Sequence, residues 1–225
     1  MDVKICGLTG ENAVASALGA GADYLGFVFY PRSPRNLSPQ TAARLVEPVR
    51  ADARIVALMV DPCDRLVDEV VDQIAPHFVQ LHGSENAQRV AQIKCRTGCQ
   101  VIKALKIATL TDMAQAAIYR PVADFMLYDA KAPREMVDAL PGGNGIAFDW
   151  RLLKAVREGD YYMLSGGLDV GNVTQALALT QAPAIDVSSG VECAPGKKDP
   201  ELIHRFLSTV KDGAQHRHGK ATAHA

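Results

Sequence analysis

The feature that most constrains this chain is a regular alternation of short apolar runs with segments of helical spacing. Eight such runs occur, and a helical segment follows each of them. Their nearly continuous apolar character is typical of strands covered on both faces, and strand–helix alternation requires parallel pairing. The predicted strands are Val3–Ile5, Tyr24–Phe29, Arg54–Val60, Phe78–Leu81, Gln100–Leu105, Phe125–Tyr128, Tyr161–Ser165 and Ala184–Val187.

Eight strand–helix units leave two architectures, a doubly wound open sheet and a closed barrel. An open sheet usually has fewer strands and places its phosphate loop after the first of them. The chain has 225 residues, which favours an α/β fold, a single-domain (β/α)₈ TIM barrel near the ~200-residue lower bound of that fold. We expect the barrel to occupy residues 1–212. The polar, Gly/Ala/His-rich residues 213–225 predict a flexible C-terminal tail.

Charge and hydropathy exclude several classes of partner. The chain has 24 Lys and Arg against 25 Asp and Glu, so bulk attraction to nucleic acid or to an anionic membrane surface is not expected. No apolar run approaches the ~18 residues of a membrane span, and the start of the chain lacks the basic and apolar regions of a signal peptide. Membrane and nucleic-acid partners are therefore not expected.

The cysteines indicate a reducing compartment, because there are five, they are scattered, and no CxxC pair occurs. This predicts a cytoplasmic protein. Cys95 and Cys99 could bind a metal ion, but buried thiols beside a helix-to-strand turn are favoured because no second ligand pair follows. The histidines of the tail, at 216, 218 and 224, are more simply solvated, so no metal site is predicted.

Small residues follow the seventh and eighth predicted strands. Active sites of (β/α)₈ barrels lie at the carboxyl ends of the strands, and the last two loops commonly bind phosphate. Gly166 and Gly167 follow strand seven, and Ser188, Ser189 and Gly190 follow strand eight. Backbone N–H groups in such loops can approach an oxyanion closely, which favours a phosphate site over plain tight turns.

Two candidates for proton transfer also lie at strand ends, Cys6 after the first strand and Asp129 after the sixth. Reference pKa values are ~8.5 for a thiol and ~3.9 for a carboxyl. Near neutral pH a thiol base therefore needs a lowered value and a carboxylic acid a raised one. Taken alone, Cys6 could equally be a small core residue and Asp129 a loop cap.

Three other polar residues occupy predicted strand ends. Arg35, in a proline-bracketed loop, could bind a substrate carboxylate through its guanidinium or lie in solvent. His82 could contact a ligand, act as a base or be structural, and we assign it no proton role. Lys103 could form a Schiff base, although a salt bridge at the barrel mouth is favoured.

Several motifs, in order along nearly the whole chain, resemble phosphoribosylanthranilate isomerases of tryptophan biosynthesis. None of them is specific alone, but their order makes the resemblance highly specific. They are Lys4-Ile-Cys-Gly-Leu-Thr9, Gly21–Phe29 with Ser33-Pro-Arg35, Val79-Gln-Leu-His-Gly83 with Glu85, Gly143–Trp150, Ser165-Gly-Gly-Leu168 with Asn172-Val173, and Asp186–Glu192 with Pro195–Asp199.

The resemblance implies an Amadori rearrangement of N-(5-phosphoribosyl)anthranilate to 1-(2-carboxyphenylamino)-1-deoxyribulose 5-phosphate. It implies that Asp129 is the general acid, that Cys6 is the general base and that Arg35 binds the anthranilate carboxylate. The phosphate would be held by the glycines and serines named above, with His82 among the substrate contacts. No metal or organic cofactor is implied, and we expect a monomer rather than a homodimer.

Four positions depart from the family pattern. Ser165 stands where alanine is commoner, Asp61 and Asp169 where asparagine is commoner, and Cys193 where serine is usual. None coincides with the proposed acid or base. We expect Asp169 to cap the following helix rather than to face the phosphate.

Three rival functions remain. A histidine-pathway phosphosugar isomerase generally uses carboxylate pairs, whereas here the first strand ends in Cys6. The indole-forming synthase of tryptophan biosynthesis needs a catalytic lysine and additional N-terminal chain. A noncatalytic sensor of a phosphorylated ligand would keep the phosphate loops and lose the acid or base.

Overall fold

Eight parallel strands close into a barrel in the computed structural model, which describes residues 1–132 and 140–221, with backbone only for 214–221. Each strand pairs with the next, and β8 pairs with β1 to complete the closure. The predicted TIM barrel is confirmed. The strands are β1 Asp2–Cys6, β2 Tyr24–Phe29, β3 Arg54–Met59, β4 Phe78–Leu81, β5 Gln100–Ile107, β6 Phe125–Ala130, β7 Tyr162–Leu164 and β8 Ala184–Val187.

Alternate residues of the strands pack into different hydrophobic clusters. On β3, Ile55 and Ala57 pack in the cluster shared with the helices, whereas Val56 belongs to a second cluster inside the barrel. This alternation is the two-residue period of a strand whose faces are both covered. It explains why the strands read as nearly continuous apolar runs.

The barrel interior is apolar at one end and polar at the other. Near the amino ends of the strands, the rings of Tyr24, Phe78 and Phe125 pack edge to face, with successive centroids 5.6 and 5.5 Å apart. Further along the strands, Lys4 and Asp186 occupy interior positions and are buried. Aromatic side chains therefore close one end, and polar groups face the carboxyl ends of the strands.

Helices cover the outside of the barrel. On α3, Val67, Val70 and Ile74 form the buried stripe that packs on the sheet. The helices are α1 Glu11–Gly19, α2 Pro39–Val46, α3 Asp64–Ile74, α4 Ala87–Thr97, α5 Leu110–Ala114, α6 Ala116–Tyr119, α7 Val173–Thr180 and α8 Pro200–Ala221. Short 3₁₀ helices span Glu47–Val49, Trp150–Ala155 and Ser189–Val191, and a small hairpin joins β9 Glu192–Ala194 to β10 Lys197–Lys198.

Local caps are present at some helix starts and absent at others. Ser38 accepts a hydrogen bond from the Thr41 N–H at the start of α2, and Pro39 occupies the first helical position. The N-cap of α1 is Gly10, which provides no side-chain cap, and the neighbouring Thr9 hydroxyl donates to the Gly196 carbonyl instead.

The last helix continues into the segment that its composition predicts as a tail. α8 runs to Ala221 because residues 211–221 contain alanines and basic residues but no proline that would end the helix. The boundary at residue 212 stays a prediction. The tail histidines lie outside the described side chains, and residues 133–139 of the long loop after β6 lie outside the described residues.

Candidate active site

One cavity opens at the carboxyl ends of the strands, with about 760 Å³ of space including its open mouth. A volume of this size suits a small-molecule ligand. It brings together most of the residues predicted from the sequence. The predicted residues that line it are Cys6, Arg35, His82, Asp129, Gly166, Gly167, Ser188 and Ser189. Gly190 lies behind this wall, against the backbone of Leu168.

Asp129 is buried at the end of β6 and is held by two neighbours. Its Oδ1 accepts a hydrogen bond of 2.9 Å from the Ala130 N–H, and its Oδ2 lies 3.0 Å from Nε2 of His82. His82, at the end of β4, is also buried, and its Nδ1 lies 3.0 Å from Nε2 of Gln80. The histidine therefore contacts the proposed acid directly.

Cys6 ends β1 inside the barrel, opposite Gly26 of β2. A Cβ atom on Gly26 would lie 3.1 Å from the Cys6 sulfur, so glycine leaves room for the thiol. Burial raises the pKa of the Cys6 thiol, and the positive charges of Lys4 and Lys198 only partly oppose this. The lowered thiol pKa expected of a base is therefore not found in the ligand-free protein.

A buried ion pair lies beneath Cys6. The Lys4 ammonium donates to Oδ1 of Asp186 at 2.8 Å, and the Ser165 hydroxyl donates to Oδ2 of the same carboxylate at 3.0 Å. Burial opposes the charge on Lys4, but Asp186 and Cys6 outweigh it and raise the lysine pKa. Lys4 is thus a fixed positive charge below the thiol.

Arg35 is buried at the cavity wall in a bidentate pair with Glu192. Nε and Nη2 of the arginine lie 2.7 and 2.8 Å from the two carboxylate oxygens. Lys198 contacts the same carboxylate at 2.6 Å and donates to the Ser188 carbonyl. Although burial opposes it, these two cations lower the Glu192 pKa. Among the described residues, Nη1 of Arg35 has no hydrogen-bond partner.

The loop after β7 has a backbone conformation that favours glycine. Gly166 has φ +90°, and a Cβ there would lie 2.9 Å from Oδ1 of Asp129. Only glycine adopts this conformation without strain. Asp169 accepts hydrogen bonds from the N–H groups of Gly171 and Asn172 in the turn before α7, whose N-cap is Asn172.

Lys103 does not line the cavity. It lies on the outward face of β5, where it pairs with buried Glu85 at 2.7 Å and donates to the Gly83 carbonyl. Its role in the described structure is therefore an ion pair. Within the described residues there is no cluster of three or more His, Cys, Asp or Glu side chains arranged for a metal ion, and no described helix could span a membrane.

The sequence reasoning missed the polar residues that support the predicted ones. The sequence does carry a signal for three of them, because Lys4, Gln80 and Asp186 each interrupt an apolar strand at a position that alternates with core residues. The two-residue period of a strand places these three side chains in the barrel interior, because their neighbours on each strand pack in the outer cluster with the helices. Glu192 and Lys198, on β9 and β10, carry no comparable signal.

Comparison with known proteins identifies the family of this chain. The sequence model of the N-(5′-phosphoribosyl)anthranilate isomerase family matches residues 3–209. A relative from Parvibaculum lavamentivorans named N-(5′-phosphoribosyl)anthranilate isomerase is 50% identical, over 94% of this chain and 98% of its own. One of the same name from Mesorhizobium japonicum is 48% identical, over 94% of this chain and 95% of its own.

Solved structures extend the similarity to the fold. Phosphoribosyl anthranilate isomerase from Thermotoga maritima superposes with a TM-score of 0.84 at 36% identity, over 94% of this chain and 99% of its own. A structure of such an isomerase in complex with reduced 1-(o-carboxyphenylamino)-1-deoxyribulose 5-phosphate superposes with a TM-score of 0.81 at 34% identity and the same coverage. This chain therefore belongs to the phosphoribosylanthranilate isomerase family and is an enzyme, an isomerase.

Proposed function

We propose that the cavity carries out the Amadori rearrangement of N-(5-phosphoribosyl)anthranilate in tryptophan biosynthesis, with Asp129 as general acid and Cys6 as general base. The observation that carries this proposal is that both side chains line one cavity with the two glycine- and serine-containing loops. An aldose–ketose isomerisation of a phosphosugar needs an acid, a base and a phosphate site, and candidates for all three line this cavity.

The reaction begins with ring opening. Asp129 donates its proton to the furanose ring oxygen, the C1′–O bond breaks, and the anthranilate nitrogen supplies the electron pair that forms a C1′ iminium. The carboxyl group lies close to the backbone of the β7 loop, since a Cβ on Gly166 would approach Oδ1 to 2.9 Å. A carboxyl group held between backbone and His82 has a restricted orientation, which favours transfer to one substrate atom.

Cys6 completes the chemistry. Its thiolate removes the C2′ proton, the electrons neutralise the iminium, and the resulting enolamine takes up a proton at C1′ and loses one from O2′ to give the ketone. Because burial raises the Cys6 pKa in the free enzyme, the cationic iminium must favour the thiolate when it forms. One proton then passes from the thiol to the Asp129 carboxylate to reset the enzyme.

Arg35 and the two loops account for recognition of the substrate's two anionic ends. Glu192 already engages Nε and Nη2 of Arg35, so Nη1 is the group that binds the anthranilate carboxylate. Backbone N–H groups at Gly166, Gly167 and Ser189, with Ser188 and Gly190 supporting the same loops, bind the phosphate. Binding by dipoles is consistent with a chain of net charge −1.

The assembly and location of the enzyme are also proposals. Its large exposed apolar residues include Leu110, Ile118 and Leu179, which lie on three different helices. This supports a monomer, which sedimentation equilibrium tests, and a dimer at micromolar concentration would contradict it. The reducing environment implied by the free cysteines supports a cytoplasmic location.

The test of the function is a fluorescence assay that follows consumption of freshly prepared phosphoribosylanthranilate. We expect turnover by the wild type, and a fall in kcat of at least ~10² in both Cys6→Ala and Asp129→Asn, as loss of a general acid or base produces. Circular dichroism checks that each variant is folded. Near-wild-type turnover in either folded variant would refute the role given to that residue.

A further inference from the structure

Gln80 is a buried polar side chain that contacts the histidine beside the proposed acid and that the mechanism does not use. It lies on β4, two residues before His82, and both side chains face the barrel interior. Its Nε2 lies 3.0 Å from Nδ1 of His82, whereas its Oε1 is buried with no hydrogen-bond partner among the described residues. The amide therefore makes one side-chain contact, and that contact is to the histidine.

We infer that Gln80 is a positioning residue that holds His82 as the neutral tautomer with its hydrogen on Nε2, and so keeps Asp129 able to carry the transferable proton. The inference rests on the proposed function for its catalytic consequence. An amide NH₂ group can only donate a hydrogen bond, so the Nδ1 atom that it contacts must be the acceptor. The ring hydrogen then lies on Nε2, which donates to Oδ2 of Asp129 at 3.0 Å.

The opposite orientation of the amide is disfavoured by burial. If Oε1 faced Nδ1, both N–H groups of the amide would occupy the space where Oε1 now has no partner. Buried N–H groups without an acceptor are rarer in proteins than buried carbonyl oxygens without a donor. With NH₂ on Nδ1, only one amide hydrogen and the carbonyl oxygen remain unsatisfied, which is the less costly arrangement.

The consequence for Asp129 follows from charge. An imidazolium at His82 would place its Nδ1–H against the amide NH₂, donor against donor, so the contact of 3.0 Å fits the neutral ring. A positive His82 would stabilise the Asp129 carboxylate and deprive the reaction of its acid. With His82 neutral, the His82 and Ala130 N–H groups each occupy one lone pair of the carboxyl group. Each oxygen keeps another for the transferable proton.

Among the described residues, Asp129 is the ionisable side chain that is hydrogen-bonded to His82. Of the remaining ionisable side chains that line the cavity, Tyr30 follows β2, Asp186 is paired with Lys4, and Arg35 is paired with Glu192. Cys6 lies on β1, across the barrel from β4 in the strand order. Lys103, on the adjacent strand β5, faces outward and is paired with Glu85. Within the described residues, the state of His82 therefore depends on Gln80 and Asp129.

The test is nitrogen NMR of the full-length enzyme labelled with ¹⁵N-histidine. Two-bond ¹H–¹⁵N correlations show which ring nitrogen carries hydrogen, and the His82 signals are those lost in His82→Asn among the 6 histidines. We expect hydrogen on Nε2 in the wild type near neutral pH. In Gln80→Glu the carboxylate accepts from Nδ1–H, so hydrogen on Nδ1 is expected there. The matched control, Gln100→Glu, makes the same change at an exposed position and should leave His82 and kcat unchanged.

Kinetics supply the second readout. Gln80→Glu should lower kcat by at least ~10-fold with KM unchanged, because it impairs the acid without touching the substrate. If Gln80→Glu does not fold, Gln80→Met, which packs but cannot donate, should give mixed tautomers and a lower kcat.

Hydrogen on Nδ1 in the wild type would overturn the inference, and so would wild-type kcat in a Gln80→Glu enzyme whose His82 carries Nδ1–H. The NMR experiment does not require the enzyme to turn over substrate. A failure of the proposed function would therefore be seen separately, as a lack of activity in the wild type.

Discussion

Replacing Lys4 with methionine tests whether the buried charge pair beneath Cys6 supports both the fold and the base. Lys4 is fully buried, its ammonium lies 2.8 Å from Oδ1 of Asp186, and that carboxylate is itself only 4% exposed. Methionine fills much of the lysine stem's volume but leaves Asp186 with the Ser165 hydroxyl as its remaining side-chain donor. Removing one partner of a buried ion pair costs about 3–5 kcal/mol. We expect Lys4→Met to lose that much free energy of unfolding.

Urea denaturation followed by circular dichroism measures the loss, and the double variant Lys4→Met/Asp186→Leu is its internal control. Replacement of a whole buried pair by apolar side chains is often neutral, so the double variant should recover most of the stability. A loss below about 1 kcal/mol in Lys4→Met would refute the role of this pair in the fold. Equal losses in the single and double variants would refute the uncompensated carboxylate as the cause.

The same variant has a distinct effect on the pH dependence of turnover. Burial raises the Cys6 pKa, and Lys4 opposes that rise, so removing Lys4 raises it further. Cys6 is active as the thiolate, so kcat/KM, which reports the free enzyme, rises with pH through this pKa. The rising limb should therefore move to higher pH in Lys4→Met. If the rising limb of the pH profile does not move in Lys4→Met, Lys4 does not affect the pKa of the Cys6 thiol.

Two further substitutions test recognition and the β7 loop. Arg35→Ala should raise KM for phosphoribosylanthranilate by about 10-fold or more, as loss of a charged hydrogen bond predicts. Arg32→Ala, in the exposed part of the same loop, should leave KM unchanged. Equal KM values for these two variants in steady-state assays would remove Arg35 from carboxylate binding. Gly166→Ala should lower the free energy of unfolding in urea by about 1–3 kcal/mol, because φ is +90°. It should also lower kcat, because the new methyl group would crowd Asp129. The control Gly98→Ala, at φ +66° with open space around it, should leave kcat unchanged. Wild-type kcat in Gly166→Ala would contradict the close approach.

The barrel could be predicted because its determining pattern is local. Each strand is buried on both faces, so its apolar run is continuous, and each is followed by a helix that shields it. Strand ends could then be assigned one by one, and this assignment places Cys6 and Asp129 at the same face of the barrel. That inference needs only the rule that parallel strands present their carboxyl ends together.

The contacts that tune the site could not be predicted in the same way. Arg35 and Glu192 are 157 residues apart, and their bidentate pair depends on how the β9–β10 hairpin lies beside the β2 loop. Likewise, the contact between His82 and Asp129 joins residues 47 positions apart. It depends on how the strands close into a barrel and not on the sequence around either residue. The Glu85 carboxylate is likewise paired with Lys103, 18 residues away, and α4 begins after the Asn86 cap, at Ala87. Long-range pairing overrides local preference at each of these positions.

The central claim is that Cys6 removes the C2′ proton of phosphoribosylanthranilate after Asp129 has opened the ring. The most direct test is the single-turnover fluorescence decay of substrate carrying hydrogen or deuterium at C2′, with wild type and Cys6→Ala. The wild type should react more slowly with deuterium, and Cys6→Ala should lose at least ~10² in rate with either isotope. A Cys6→Ala enzyme that keeps the wild-type rate and its isotope effect would show that another group removes the proton.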